Sequence, residues 1–504
     1  MSAAPAELGA LRERMAELSD LGRIHSMLFW DQNTMMPPRG AAARADHSST
    51  LELISHQRLT DPDVGRLLDA LAPWAADEDP DSDDVRLLAA VRRDHEKAVR
   101  VPAALAAEMS HADALGQQAW QEARAASDFS RFRDALARHV ELRHRYVACF
   151  EPAAHPYDIL LDDFEPGLTT AELRPLFATL RDELVGLVAG ATQNGEQARN
   201  NGAFSGPFEV DDQRRAVMAV LEAVGFDPDG WRLDPAPHPF AQSLGPSDVR
   251  ITTRYDLHDF GVAHFSALHE FGHGLYEAGI ATELARSPLG QPVSLGIHES
   301  QSRLWENLVG RSRPFCSWVL PSLREHLGHA LGAIDAEALY RAVNTVQRSL
   351  IRVDADETTY NLHIILRFEL ELALIEGALE VDGLPAAWSE GMQRLLGVDV
   401  ADDAQGVLQD VHWGAGLFGY FPTYTLGNLI AAQLWTRVLT DLPEIDAQIG
   451  RGDLAPLREW LRENIHRHGR KFPPRELLYR VTGEELRPEP FLDYLRAKLA
   501  DVAA

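Results

Sequence analysis

The chain has 504 residues, 45% of them hydrophobic and 25% charged, an ordinary globular balance that can bury one large core or two lobes sharing one. A formal net charge of −28 repels phosphate backbones and argues against a nucleic-acid partner. The two cysteines, Cys149 and Cys316, lie far apart and form neither a disulfide framework nor a metal-type cluster, so a reducing cytoplasm is the expected home.

The N-terminus, MSAAPAELGALRERMAEL, is small, charged and amphipathic, unlike a basic-then-apolar secretory leader. From there on, segments such as AELRPLFATLRDELVGLVAGA and LHIILRFELELALIEGALE place apolar residues three and four apart. That helical period recurs nearly end to end. Breaks are predicted at MMPPRG (35–40), DPDSDD (79–84), FEPGLTT (164–170) and the run from Gly225 to Ser247. None is a long low-complexity linker, and no fixed-period repeat appears. The expectation is a single domain over residues 1–504, with two lobes flanking a groove as its form. The clearest strand signal is DVRITTRY, Asp248 to Tyr255, where Val249, Ile251 and Thr253 alternate with Arg250, Thr252 and Arg254. A mainly α fold with one small sheet follows.

Directly after that strand comes FGVAHFSALHEFGHGLYEAG, whose apolar Phe265, Leu268, Phe271 and Leu275 fit a helix. On it His269 and His273 stand at i and i+4, so both imidazoles leave one face about a turn apart. Two nitrogens so placed can reach one zinc at roughly 2.0–2.1 Å each. Glu270 follows the first histidine and is suited to take a proton from water. A third ligand candidate, Glu299, opens the next amphipathic segment, GIHESQSRLWENLVG. Its rivals are His298, which cannot share Glu299's direction on a helix, Glu277, which would crowd His273, and Glu283. Glu306, two turns beyond Glu299, can hold a ligand histidine from outside or stand as a plain surface carboxylate. His258 and His264 read as structural or surface groups.

Farther on, Trp413 to Thr436 carries no charge and is long enough to raise a membrane span. Pro422, Asn428, Gln433 and several glycines and tyrosines favour a buried loop followed by a helix, with no membrane contact.

With HEFGH in view, the chain closely resembles the carboxypeptidase Taq family of metallocarboxypeptidases. The family's motifs appear in order: HPF at 238–240, DVRIT at 248–252, HEFGH at 269–273, HESQ at 298–301, IRVDAD at 351–356 and GVLQDVHW at 406–413. WDQNTMMP, Trp30 to Pro37, is similar to the family's opening segment. The resemblance implies a nearly all-helical, groove-bearing zincin-type fold, usually a homodimer, that uses zinc or sometimes cobalt. It implies Glu299 as the third ligand and removal of C-terminal residues from peptides with broad specificity.

That activity needs donors for a tetrahedral oxyanion beyond the metal. His412, in the GVLQDVHW motif, and Tyr424, in the FGYFPTYTLGN loop, are the candidates, with Tyr420 the alternative and a buried, satisfied phenol the other reading of Tyr424. It also needs a receptor for a terminal carboxylate, which an arginine fork meets best. Arg352, in IRVDAD, is the first choice, unless it merely pairs with Asp354 or Asp356. Arg250 is second, on a strand that, as a sheet edge, would pair with an extended peptide. Two rival functions remain at this level: an endo-acting zinc oligopeptidase with the same metal residues, and a non-catalytic binding protein, against which the intact Glu270 argues.

Overall fold

The computed structural model describes residues 5–150, 152–192 and 206–503. Helices dominate, as the periodicity predicts, and the described residues contain one three-stranded sheet. The chain divides into two compact units: residues 1–99, 202–340 and 434–484 form unit 1, and residues 100–201, 341–433 and 485–504 form unit 2. Each unit is assembled from three separate stretches. No shift of composition marks a boundary, and three of the crossings, at 99/100, 340/341 and 433/434, fall inside helices of ordinarily mixed sequence.

Unit 1 holds the helices α1 (Ala6–Thr34) and α2 (Ala41–Leu59), the strands β1 (Trp231–Pro235), β2 (Ala241–Gly245) and β3 (Asp248–Thr253), and the helices α3 (Phe260–Gly279) and α4 (Leu295–Arg303). The sheet order is β1-β3-β2, with β3 parallel to β1 and antiparallel to β2. The sheet corrects two expectations. β1 and β2 lie inside the Gly225–Ser247 run read as a break, because WRLDP and AQSLG are too short and too polar to alternate. And β3 is the central strand: both of its edges are already paired, so it cannot take up a peptide as an edge strand. Its Val249, Ile251, Thr252 and Thr253 are buried, so its C-terminal half is covered on both faces.

The sheet packs on α3, and Thr253 Oγ1 donates to the Ala263 carbonyl (3.0 Å). Asp259 caps α3 by accepting from Gly261 N–H (2.8 Å), and Ser294 caps α4 by accepting from Ile297 N–H (3.1 Å). Between the two HEFGH histidines, Gly272 lets α3 and α4 touch backbone to backbone. A Cβ there would lie 2.5 Å from the Gln301 carbonyl oxygen and 2.7 Å from Ser302 Cα. Only glycine permits that approach.

Unit 2 is built around α5 (Tyr360–Ile375), buried along nearly its whole circumference. The charge-free segment is a run of turns leading into α6 (Pro422–Asp441), and no helix among the described residues is long and apolar enough to cross a membrane.

Candidate metal centre

His269 and His273 leave one face of α3, and Glu299 approaches from the first turns of α4. These three are the only group of histidine, cysteine and carboxylate side chains among the described residues whose ligand atoms converge, all within 4.8 Å of one another. Glu299 Oε2 lies 3.6 Å from His269 Nε2 and 3.4 Å from His273 Nε2. The edge of a tetrahedron with 2.0–2.1 Å bonds is about 3.3–3.4 Å, so the donor set fits a zinc-sized ion with little movement. Two rivals for the third position are turned to each other instead, His298 Nε2 and Glu277 Oε1 at 3.4 Å.

The other oxygen of Glu299 is occupied. Arg303 Nε donates to Oε1 (2.7 Å), one turn along α4. The same guanidinium reaches Glu306 Oε2 (3.2 Å), and Glu306 accepts from His269 Nδ1–H (2.9 Å). That hydrogen bond fixes the tautomer that leaves Nε2 free as a ligand. Glu306 lies in a π-helical stretch, Leu304–Val309, that continues α4, the kind of register change found at functional sites. Arg303 and Arg311, which flank Glu306, were not apparent from the sequence, although Arg303 stands four residues after Glu299, the spacing of a helical ion pair.

Buried charge dominates the electrostatics. Glu270 is 5% exposed, and its carboxyl is pushed up to about 7, mainly by burial; Glu299 and Glu306 add to the rise and His269 opposes it. Glu299 moves the other way: burial would raise it, but Arg303 and the two histidines hold it well below the usual carboxylate range. His273 is lowered to about 3, chiefly by burial, and is the neutral imidazole a metal requires.

Unit 2 brings Arg352, His412 and Tyr424 into one polar cluster, while Arg250 lies in unit 1. The partner of Arg352 is neither Asp354 nor Asp356. Its Nε and Nη2 donate to Asp410 Oδ1 (3.0 and 2.7 Å) and its Nη1 to Tyr360 Oη (2.9 Å). Asp356 instead accepts from the amides of Gln347, Thr358 and Thr359. Asp410 is shared: Arg367, fully buried on α5, donates its Nε to Oδ2 (2.7 Å). Burial would raise Asp410, but the two guanidiniums hold it far below its ordinary value. His412 Nε2 lies 3.1 Å from Tyr424 Oη, and its Nδ1 is buried with no partner among the described residues. Burial, against the pull of Asp410, lowers His412 to about 3 and keeps it neutral.

Asp410, Arg367 and Glu371 are the residues that sequence reasoning missed. The signal was present in LHIILRFELEL: His363, Arg367 and Glu371 recur every four residues on a helix whose other residues, apart from Asn361 and Glu369, are mostly apolar. Glu371 accepts from Tyr157 Oη, Trp413 Nε1 and Gly419 N–H. Arg250 is bidentate to Asp248 (2.9 Å twice) and lies over the Trp30 ring, 4.5 Å from its centroid.

Comparison with known proteins agrees with this chemistry. A family model described as carboxypeptidase Taq (M32) metallopeptidase matches residues 10–499. The chain is 43% identical to thermostable carboxypeptidase 1 of Thermus thermophilus, over 97% of this chain and 98% of that protein. It is 36% identical to carboxypeptidase 1 of Bacillus subtilis, over 97% of each. Its structure is similar to the crystal structure of the M32 carboxypeptidase from Deinococcus radiodurans R1, with a TM-score of 0.95 and 40% identity over 99% of both chains.

Proposed function

Because the chain belongs to the carboxypeptidase Taq (M32) metallopeptidases, hydrolases of peptide bonds, we propose that it removes C-terminal residues from peptides with broad specificity, using a zinc ion, or cobalt in its place, held by His269, His273 and Glu299. The observation that carries the metal assignment is the pair of separations from Glu299 Oε2 to the two Nε2 atoms, which match the edges of a zinc tetrahedron.

A divalent ion at that point supplies the Lewis acidity that hydrolysis of an unactivated amide needs. Glu270, next in the chain to the first ligand, takes the proton from the attacking water and returns it to the leaving amine. Glu306 and Arg303 hold His269 and Glu299 in their ligating orientation. His412 and Tyr424, joined by their 3.1 Å contact, are assigned as donors to the developing oxyanion. Arg352 receives the terminal carboxylate. One carboxylate, Asp410, faces both Arg352 and Arg367, so the cluster carries guanidinium charge that a substrate anion can share, and Arg352 is the more exposed of the two. Arg250, committed to Asp248, is the second choice. The same reading makes the protein a cytoplasmic homodimer, supported by two free cysteines and by the exposed Ile24, Met27, Phe29, Met35 and Leu53 on α1, α2 and their junction. Sedimentation velocity tests the dimer.

Matched peptides ending in free acid or amide, followed by time-resolved mass spectrometry, test the activity. Successive loss of C-terminal residues from the acids alone is expected. Arg352→Ala should lower kcat/KM on the acids by roughly two orders of magnitude and leave the slow amides nearly unchanged. Equal wild-type rates on acid and amide would favour an endopeptidase, and equal losses on both forms in Arg352→Ala would make Arg352 structural and move the test to Arg250.

A further inference from the structure

We propose that His298 is a positioning residue for the ligand His273, acting through ring stacking instead of a hydrogen bond. The inference rests on the metal centre proposed above. The two ligand histidines are held in different ways. His269 is fixed at its outer nitrogen by Glu306, at 2.9 Å. The outer nitrogen of His273, Nδ1, is buried and has no partner among the described residues. What His273 meets is a flat ring: His298 stacks on it with centroids 4.2 Å apart and planes 18° from parallel.

At that separation the His273 ring cannot turn edge-on without driving into its neighbour, so the stack restricts the same torsion that a hydrogen bond at Nδ1 would restrict. His298 is placed by its helix and its neighbours, although its Nε2 makes no hydrogen bond among the described residues. It precedes Glu299 on α4, which ties its backbone to the third ligand. Its Nε2 faces Glu277 Oε1 at 3.4 Å, one turn beyond His273 on α3. Its other neighbour is Tyr276, at 5.8 Å, which stacks in turn on His466 at 5.3 Å and 29°. His466 Nε2 closes the row on α4, 2.8 Å from Gln301 Oε1. The aromatic row thus spans from the metal-facing surface of α3 back to α4, and it aligns His273 with the helix that carries Glu299. The motif's own residues, His298 and Gln301 of HESQ, form its two contacts with α4.

The test measures zinc affinity by competition with a chromophoric chelator, together with the visible absorption of the cobalt(II)-substituted protein. Wild type, His298→Ala, His298→Phe and His269→Ala are compared, with the melting temperature of each apoprotein as a check on folding. His298→Ala should bind zinc about tenfold more weakly and shift the cobalt bands. His298→Phe keeps the ring and loses both nitrogens, so it should stay within about threefold of wild type and restore the bands. Unchanged affinity and bands in His298→Ala would overturn the proposal. So would a His298→Phe protein as weak as His298→Ala, since a hydrogen bond and not a stack would then be at work. Wild-type affinity in His269→Ala would overturn the metal centre itself, a failure distinct from that of His298.

Discussion

Each unit of the molecule buries one dense cluster of charge, and the two clusters are built on opposite logic. In unit 1 three carboxylates, Glu270, Glu299 and Glu306, surround two imidazoles, with Arg303 and Arg311 as the cations in contact. The ligand atoms of His269, His273 and Glu299 lie within 4.8 Å of one another, a convergence that suits a metal ion. In unit 2 Asp410 is clasped by Arg352 and Arg367, and Arg352 also donates to Tyr360. The first cluster gathers ligand atoms at one point. The second gathers two guanidiniums on one carboxylate, the setting in which Arg352 is assigned to a substrate anion. A buried charge network therefore has to be read by what its lone pairs point at, not by how many ion pairs it contains.

The sharpest break between the two is a pair of substitutions that each remove one negative charge. Glu270→Gln should keep the metal and lose turnover by roughly 10²–10⁴-fold, because Glu270 is assigned proton transfer and no structural ion pair. Near-normal turnover in the metal-loaded variant would remove it from the mechanism. Asp410→Asn should instead cost stability, about 3–5 kcal/mol, because it strands two buried guanidiniums. A shift of the urea midpoint reads that loss, and an unshifted midpoint would show that the cluster of unit 2 is not a closed structural pair.

How much of this could be read from the sequence divides along the same line. The metal centre is local: His269 and His273 are one helical turn apart, so their pairing is legible from spacing, whereas Glu299, on the helix Leu295–Arg303, stood among rivals that only the family resemblance set aside. The cluster of unit 2 is assembled from residues 352, 367 and 410, far apart in the chain and meeting only on folding. Arg352 could be singled out as important, but its partner could not, and Asp354 and Asp356 drew attention only because they were near. The sheet was half legible for a similar reason. β3 alternates and was found, whereas β1 and β2 take their strand conformation from pairing with it. Register and strand order are long-range facts, so the central position of β3 was not accessible either.

A smaller effect sharpens the comparison through pH. His264 in unit 1 and His412 in unit 2 are each lowered to about 3, in both cases mainly by burial. Below the ordinary histidine value near 6.5 the unfolded chain binds protons that these rings refuse in the fold. Their stabilising neutrality is therefore fully present above that value and is lost as pH falls from about 6.5 toward about 3, by up to about 1.4 kcal/mol per pH unit per ring. Asp410, held low by its arginines, keeps its full contribution down to the ordinary aspartate value of about 3.9 and gives it up as pH falls below that. Replacing His264 by Leu should flatten the acid limb of a urea-midpoint profile by about that slope. An unchanged limb would show that His264 takes up its proton in the folded protein.

The metal site proposed in unit 1 requires all three side chains, His269, His273 and Glu299. Elemental analysis after dialysis against dilute zinc, on wild type and Glu299→Ala, checks this, with apoprotein melting as a control. One zinc per wild-type chain is expected, and its loss from Glu299→Ala. Some loss of apoprotein stability is expected as well, because Arg303 then keeps Glu306 alone as a carboxylate partner, and a cooperative melt shows that the variant is folded. A Glu299→Ala protein that holds zinc undiminished would contradict the three-ligand site.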